Sequence, residues 1–180
     1  MKIEKVVRRV AMASVVTLVT GLAGVAALRA ADKSETLIYA VYNGQNTASD
    51  VFKSMKSAQG STGERIESYA VVTKDLKGKV SVRDQRRRDA GVGAIIGGVI
   101  GLVGGPAGVA AGATAGGAVG YLTGDAVGIP RDQVETMKQS LTPDSSALVV
   151  VLNDRWVKDV ERDLNQANAR AVIANQIASK

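Results

Sequence analysis

The chain has 180 residues, 46% of them hydrophobic, and a formal net charge of +6. It contains neither Cys nor His. That excludes disulfides, thiolate nucleophiles and cysteine or histidine metal sites, and it removes the commonest general base. A non-enzymatic reading starts from there, and neither a cofactor nor a metal is expected.

Residues 1–9 are basic and polar, and residues 10–28 carry no charge before Arg29. A positive n-region, an apolar run and small residues read as an export signal, or as a retained membrane anchor, over 1–30. Most of the net charge sits in this segment: Lys2, Lys5, Arg8, Arg9 and Arg29 stand against Glu4 alone. The basicity therefore argues little for nucleic-acid binding by the rest.

Residues 36–42, TLIYAVY, read as a central strand ended by Asn43-Gly44. Thr47 is placed to cap a helix over 48–58 with Val51, Phe52 and Met55 on one face. Residues 65–74 and 79–83, separated by Asp75-Leu76-Lys77-Gly78, read as a β-hairpin. A charged stretch with Arg86, Arg87 and Arg88 closes this half, expected over 36–89. Its arginines suit lipid headgroups better than nucleic acid, because no aromatic residues interleave with them.

The segment 90–128 is different in kind. Gly93, Gly97, Gly101 and Gly105 form one four-residue ladder; Gly108, Gly112, Gly116, Gly120, Gly124 and Gly128 form a second. Nothing between Asp89 and Asp125 is charged. A four-residue step lays glycines along one helical ridge, the pattern of small residues at which membrane helices pack. Glycine costs about 1 kcal/mol against alanine in a helix interior, so packing or lipid has to offset it. Gly104-Gly105-Pro106 breaks the run. We expect a hairpin with arms 90–103 and 107–123, the first lipophilic through Ile95, Ile96, Val99, Ile100, Leu102 and Val103. Each arm falls short of a full span, so the hairpin dips into the bilayer or crosses where it thins. The ladder drifts by about 40° per step, which points to more than one neighbour and hence a homo-oligomer. The expected helix-packing residues are Gly93, Gly97, Gly101, Gly105, Gly108, Gly112, Gly116 and Gly120.

Beyond it, Pro130 suits a first helical turn, with Val134, Met137 and Leu141 on one face. Residues 146–152 read as a buried strand. Asn153-Asp154 can cap a helix with Trp156, Val157, Val160 and Leu164 inward. Residues 170–177 are a last strand or the end of that helix. This second half is expected over 129–180. With the glycine segment omitted, the element order matches an α+β split βαβ, or ferredoxin-like, arrangement whose second and third strands are the 65–83 hairpin.

Other chemistry is weak. Gly91-Val92-Gly93-Ala94-Ile95-Ile96-Gly97 has the wrong glycine spacing for a dinucleotide loop, and no acidic residue follows in range. Neither a Walker sequence nor a nucleophile elbow occurs. The helix carboxylates read as solvated faces, and Tyr39, Tyr42, Tyr69 and Tyr121 as sheet or interface residues.

Tyr69-Ala70-Val71-Val72 with Lys77-Gly78-Lys79-Val80, the Gly104-Gly105-Pro106 break and Leu141-Thr142-Pro143-Asp144-Ser145-Ser146-Ala147-Leu148 carry a resemblance. From Thr36 to about Ala178 the chain resembles the family of small membrane proteins called domain of unknown function 1269. The resemblance implies a ferredoxin-like α/β unit interrupted by a glycine-zipper hairpin, and it brings no catalytic residues. Residues 1–35 depart from the family pattern, in which the first strand starts near the N-terminus.

The expectation is a non-enzymatic protein of the bacterial cell envelope, exported to or anchored in the inner membrane with a periplasmic domain. Membrane lipids and its own copies are its expected partners, and its role is structural or stress-related. A small-molecule ligand stays open. The alternatives are an oligomeric pore and a soluble ligand-sensing α/β domain with the hairpin as oligomer core.

Overall fold

A computed structural model describes residues 34–57, 62–66, 68–114 and 128–177. The expected export segment at 1–30 lies outside them, as do Gly116, Gly120, Tyr121 and most of the second glycine arm. Five antiparallel strands build one sheet: β1 (Glu35–Asn43), β2 (Ser68–Lys74), β3 (Val80–Arg86), β4 (Ser145–Asn153) and β5 (Ala171–Ile177). Their order is β3-β2-β4-β1-β5. Among the described residues four α-helices accompany them: α1 (Thr47–Ser57), α2 (Ala90–Thr114), α3 (Arg131–Ser140) and α4 (Val157–Gln166). The fold is α+β.

The order follows from the sequences. β4, SSALVVVLN, is apolar along almost its whole length and is buried except at its last residue. A strand buried on both faces belongs in the centre of a sheet. β3, VSVRDQR, alternates weakly and carries Arg83, Asp84 and Arg86, all exposed; only its Val80 is buried, and it sits at the edge, paired with β2. This corrects the expected strand order, in which the second half of the hairpin was the third strand of the split arrangement. The central place belongs to β4, whose apolar side chains can meet both layers. Residues 171–177 are a strand, β5, paired with β1.

The β2–β3 turn is tied by Asp75, whose side chain accepts from the Lys77 and Lys79 amides at 2.9 and 2.8 Å. Gly78 takes the positive φ of +81° that the turn requires.

Each face of the sheet has its own core. One joins Ile38, Ala40, Tyr42, Val71, Leu148, Val150 and Leu152 to Phe52 and Met55 of α1 and Val160 and Leu164 of α4. The Phe52 and Tyr69 rings lie 4.0 Å apart there. The other joins Leu37, Tyr39, Val41, Ala147, Val149 and Val151 to α2 and to Val134 and Met137 of α3. Thr47 does not cap α1 with its hydroxyl, which instead donates to the Asn43 carbonyl at 2.6 Å. Ser146, from β4, accepts from the Ala48 amide at 3.0 Å and donates to the Gly44 carbonyl at 2.6 Å.

Candidate functional site

The glycine-rich helix α2 begins at a polar collar. Asp89 accepts the Val92 amide at 2.9 Å, an N-cap bond, and the Arg88 Nε at 2.9 Å. The Val92 amide first, and Arg88 second, hold the Asp89 carboxyl below its ordinary value. Arg88 also pairs with Glu35 at the start of β1, and its amide donates to the Ser68 hydroxyl at 2.9 Å. The helix start is thus fastened to two strands. Arg86 ends β3 opposite Tyr69, and Arg86, Arg87 and Arg88 are all exposed.

From the collar, Val92, Ile96, Val99, Ile100 and Val103 recur at helical spacing, the stripe that buries one face of a helix. All five are at most 6% exposed and belong to the core on the sheet. The helix then breaks at Gly105, with φ 61° and ψ −148°, immediately before Pro106. That backbone region is essentially restricted to glycine.

The segments 90–104 and 106–114 touch main chain to main chain. A Cβ on Gly112 would stand 2.4 Å from the Gly97 carbonyl oxygen and 3.1 Å from the Gly101 nitrogen. One on Gly108 would stand 2.5 Å from the Ile100 oxygen. Gly97, Gly101, Gly108 and Gly112 therefore share one contact within the chain. Gly93 lies instead beneath the Arg87 side chain, whose Cδ would be 2.9 Å from an added Cβ. Gly105 makes the bend and has open space where a Cβ would be.

By length and composition Ala90–Ala113 could cross a membrane, and half of its apolar window is buried inside the protein. Among the described residues the exposed large hydrophobic side chains are Leu76 and Val109.

Among the described residues no three His, Cys, Asp or Glu side chains gather as a metal site. Tyr39 and Tyr42 are buried in the sheet, and burial raises both hydroxyls far above the ordinary tyrosine range. Their hydroxyls donate to the Met137 and Leu164 carbonyls at 3.3 and 3.4 Å. Sequence reasoning missed three polar fasteners: Ser146, the Thr36–Asp154–Gln176 bonds at 2.6 Å each, and Arg170, which donates to Asn43, Thr142 and the Ser140 carbonyl. Ser145-Ser146 opening an apolar strand was a readable signal for the first.

These features define an α+β protein that carries a long, uncharged, glycine-rich helix on an antiparallel sheet. Residues 90–180 match the family described as protein of unknown function (DUF1269), and the chain belongs to that family. The matched span starts at the first residue of α2, so Tyr69–Val72 and Lys77–Val80 lie outside it. No curated protein and no solved structure matches the chain.

Proposed function

We propose that this is a non-enzymatic cell-envelope protein, held at or exported across a membrane by residues 1–30, with a structural or stress-related role. In this reading the glycine-rich hairpin is a layer of the α/β domain itself. The observation that carries it is the burial of Val92, Ile96, Val99, Ile100 and Val103 against the sheet. Side chains committed to a protein core are not available to lipid. The close approach of Gly108 and Gly112 to residues 97–101 supports a zipper that closes within one chain.

The sheet supports a ferredoxin-like reading with altered membership. β1-α1-β2 flank β4, and β4-α4-β5 flank β1, so those four strands make the split βαβ core. β3, α2 and α3 are then one insertion.

A second reading keeps the hairpin in the bilayer. It is favoured by the bend, where Pro106, Ala107, Val109 and Ala110 are exposed and uncharged.

Because the chain lacks Cys, single cysteines separate the two. In membranes from expressing cells, Val109→Cys should react with a charged maleimide, and Ile96→Cys only after denaturation. Protection of Val109→Cys from the charged reagent, with labelling by a lipid-soluble one, would replace the first reading by the second.

A further inference from the structure

Charge is unevenly placed beyond residue 30. Residues 74–88, the β2–β3 turn and the edge strand, hold seven basic and two acidic side chains. Outside them and outside 1–30 the chain has 11 basic and 14 acidic residues. A basic hairpin thus stands on an otherwise acidic body.

Both acids of the hairpin are engaged. Asp75 accepts the Lys77 and Lys79 amides within the turn, and Asp84 accepts the Tyr69 hydroxyl at 3.1 Å. Arg88 is paired with Glu35 and Asp89, and Lys74 donates to the Leu141 carbonyl at 3.0 Å. That leaves Lys77, Lys79, Arg83, Arg86 and Arg87. All five are exposed, and among the described residues none of them forms an ion pair. The strand itself turns charge outward. Val82 pairs with Val72 and Asp84 with Val71, so Arg83 is the extra residue of a β-bulge and faces no residue of β2. At the turn Leu76 is 75% exposed, against 38% for Val109. Four hydrogen bonds hold the turn that presents it.

A few charges of either sign keep an edge strand from recruiting another strand. Five unpaired charges of one sign go further, because they repel one another until an anionic surface meets them. We infer that the β3 edge, from Leu76 to Arg87, is the side on which the domain lies against an anionic lipid leaflet. The cations meet headgroup phosphates, and Leu76 enters the interface beside Lys77 and Lys79. A nucleic acid would leave Leu76 in water, and residues 74–88 offer no aromatic ring to stack on its bases. The acidic body is repelled by the same leaflet, which fixes the side that faces it. The inference rests on the membrane attachment proposed above and adds the lipid class and the docking side. It also moves the lipid contact expected at Arg86, Arg87 and Arg88: Arg88 is committed to the collar, and Lys77, Lys79 and Arg83 join the other two.

The test uses the full chain in lipid nanodiscs, of phosphatidylcholine alone or mixed with phosphatidylglycerol. The chain lacks Cys, so a nitroxide on Leu76→Cys reads the depth of that position. With phosphatidylglycerol present the label should gain access to oxygen and lose access to a water-soluble nickel complex. The change should vanish in phosphatidylcholine discs, in high salt, and when Lys77→Gln, Arg83→Gln and Arg86→Gln are combined. A label at Lys158→Cys, on α4, which packs on β1 and β5, should stay open to nickel throughout. In the unsubstituted chain, amide exchange over 76–86 should slow with phosphatidylglycerol while β5 is unchanged; this decides if the labelled variant misfolds. Co-elution with both kinds of disc reports the attachment through 1–30. If the chain co-elutes with both, position 76 stays open to nickel and exchange over 76–86 is constant, the inference falls and the attachment stands. Retention by phosphatidylglycerol discs alone, with position 76 shielded, supports the edge and removes the attachment. A chain that binds neither disc overturns both, and protection of 76–86 by duplex DNA but not by discs overturns the inference.

Discussion

The two faces of the sheet are covered in two ways. α1 and α4 are amphipathic: Phe52, Met55, Val160 and Leu164 point in, while Lys53, Asp50, Arg162 and Asp159 form ion pairs in water. α2 has no charged side at all. Water can finish the outside of an amphipathic helix, whereas an uncharged helix needs a further apolar partner. Here residues 106–114 supply that partner, and glycines let the two backbones meet. The same ladder that reads as a membrane signal is also what lets a second segment cover a core helix.

The sharpest way to break this comparison is to empty both faces equally. Ile96→Ala and Phe52→Ala each remove a large side chain that is at most 3% exposed. Each should cost about 3 kcal/mol, read by urea unfolding with the single Trp156 as fluorophore. Near-equal losses would make α2 as much a core element as α1. A loss at Phe52 with none at Ile96 would mean that α2 does not rest on the sheet.

Next in size are the glycines. Gly112→Ala should destabilise by about 2–3 kcal/mol, because its Cβ would fall 2.4 Å from the Gly97 oxygen, a main-chain atom that cannot swing away. Alanine gains about 1 kcal/mol of helix propensity at such a position, and the contact overrides it. Gly105→Ala meets no neighbour and should cost about 1–2 kcal/mol through its backbone conformation alone. If Gly112→Ala stabilised the protein, the propensity gain would dominate and the backbone contact would not exist.

The legible parts of this molecule were those set by local pattern. Outside the glycine segment the strands and helices fall close to their expected places, because Val/Ile-rich runs and 3.6-residue stripes fix type and inward face; the exception is 170–177, open in sequence between a strand and a helix end and a strand in the fold. The bend before Pro106 was legible for the same reason. Strand order was not: the 65–83 hairpin is local, but which strand joins β1 depends on how much apolar surface each presents, and β4 outcompetes β3. The destination of the lipophilic stripe was also hidden. Ile96 and Ile100 look the same in sequence whether they meet lipid or Val149, since both surroundings are apolar. Ser146 capping a helix from a strand 98 residues away leaves only a polar residue at the start of an apolar run.

The smallest effect concerns how each face is fastened. Asp89 starts α2 from its own chain segment, and Ser146 starts α1 from across the sheet. Asp89→Ala should cost about 1 kcal/mol and Asp89→Asn less, since asparagine also caps. The charge adds only a little, because the Asp89 side chain is 48% exposed and its pair with Arg88 is screened. Its sign is definite. A carboxyl held below its unfolded value stabilises the fold fully above the ordinary aspartate value of about 4, and that share is lost as pH falls through the lowered folded value. Asp89→Asn should therefore flatten the acid limb of the stability curve and leave neutral stability nearly unchanged, whereas Ser146→Ala should lower stability equally at both pH values. Matching pH profiles for the two variants would show that the Asp89 charge does not fasten α2, and that its collar is held by Ser68 and Glu35 through Arg88.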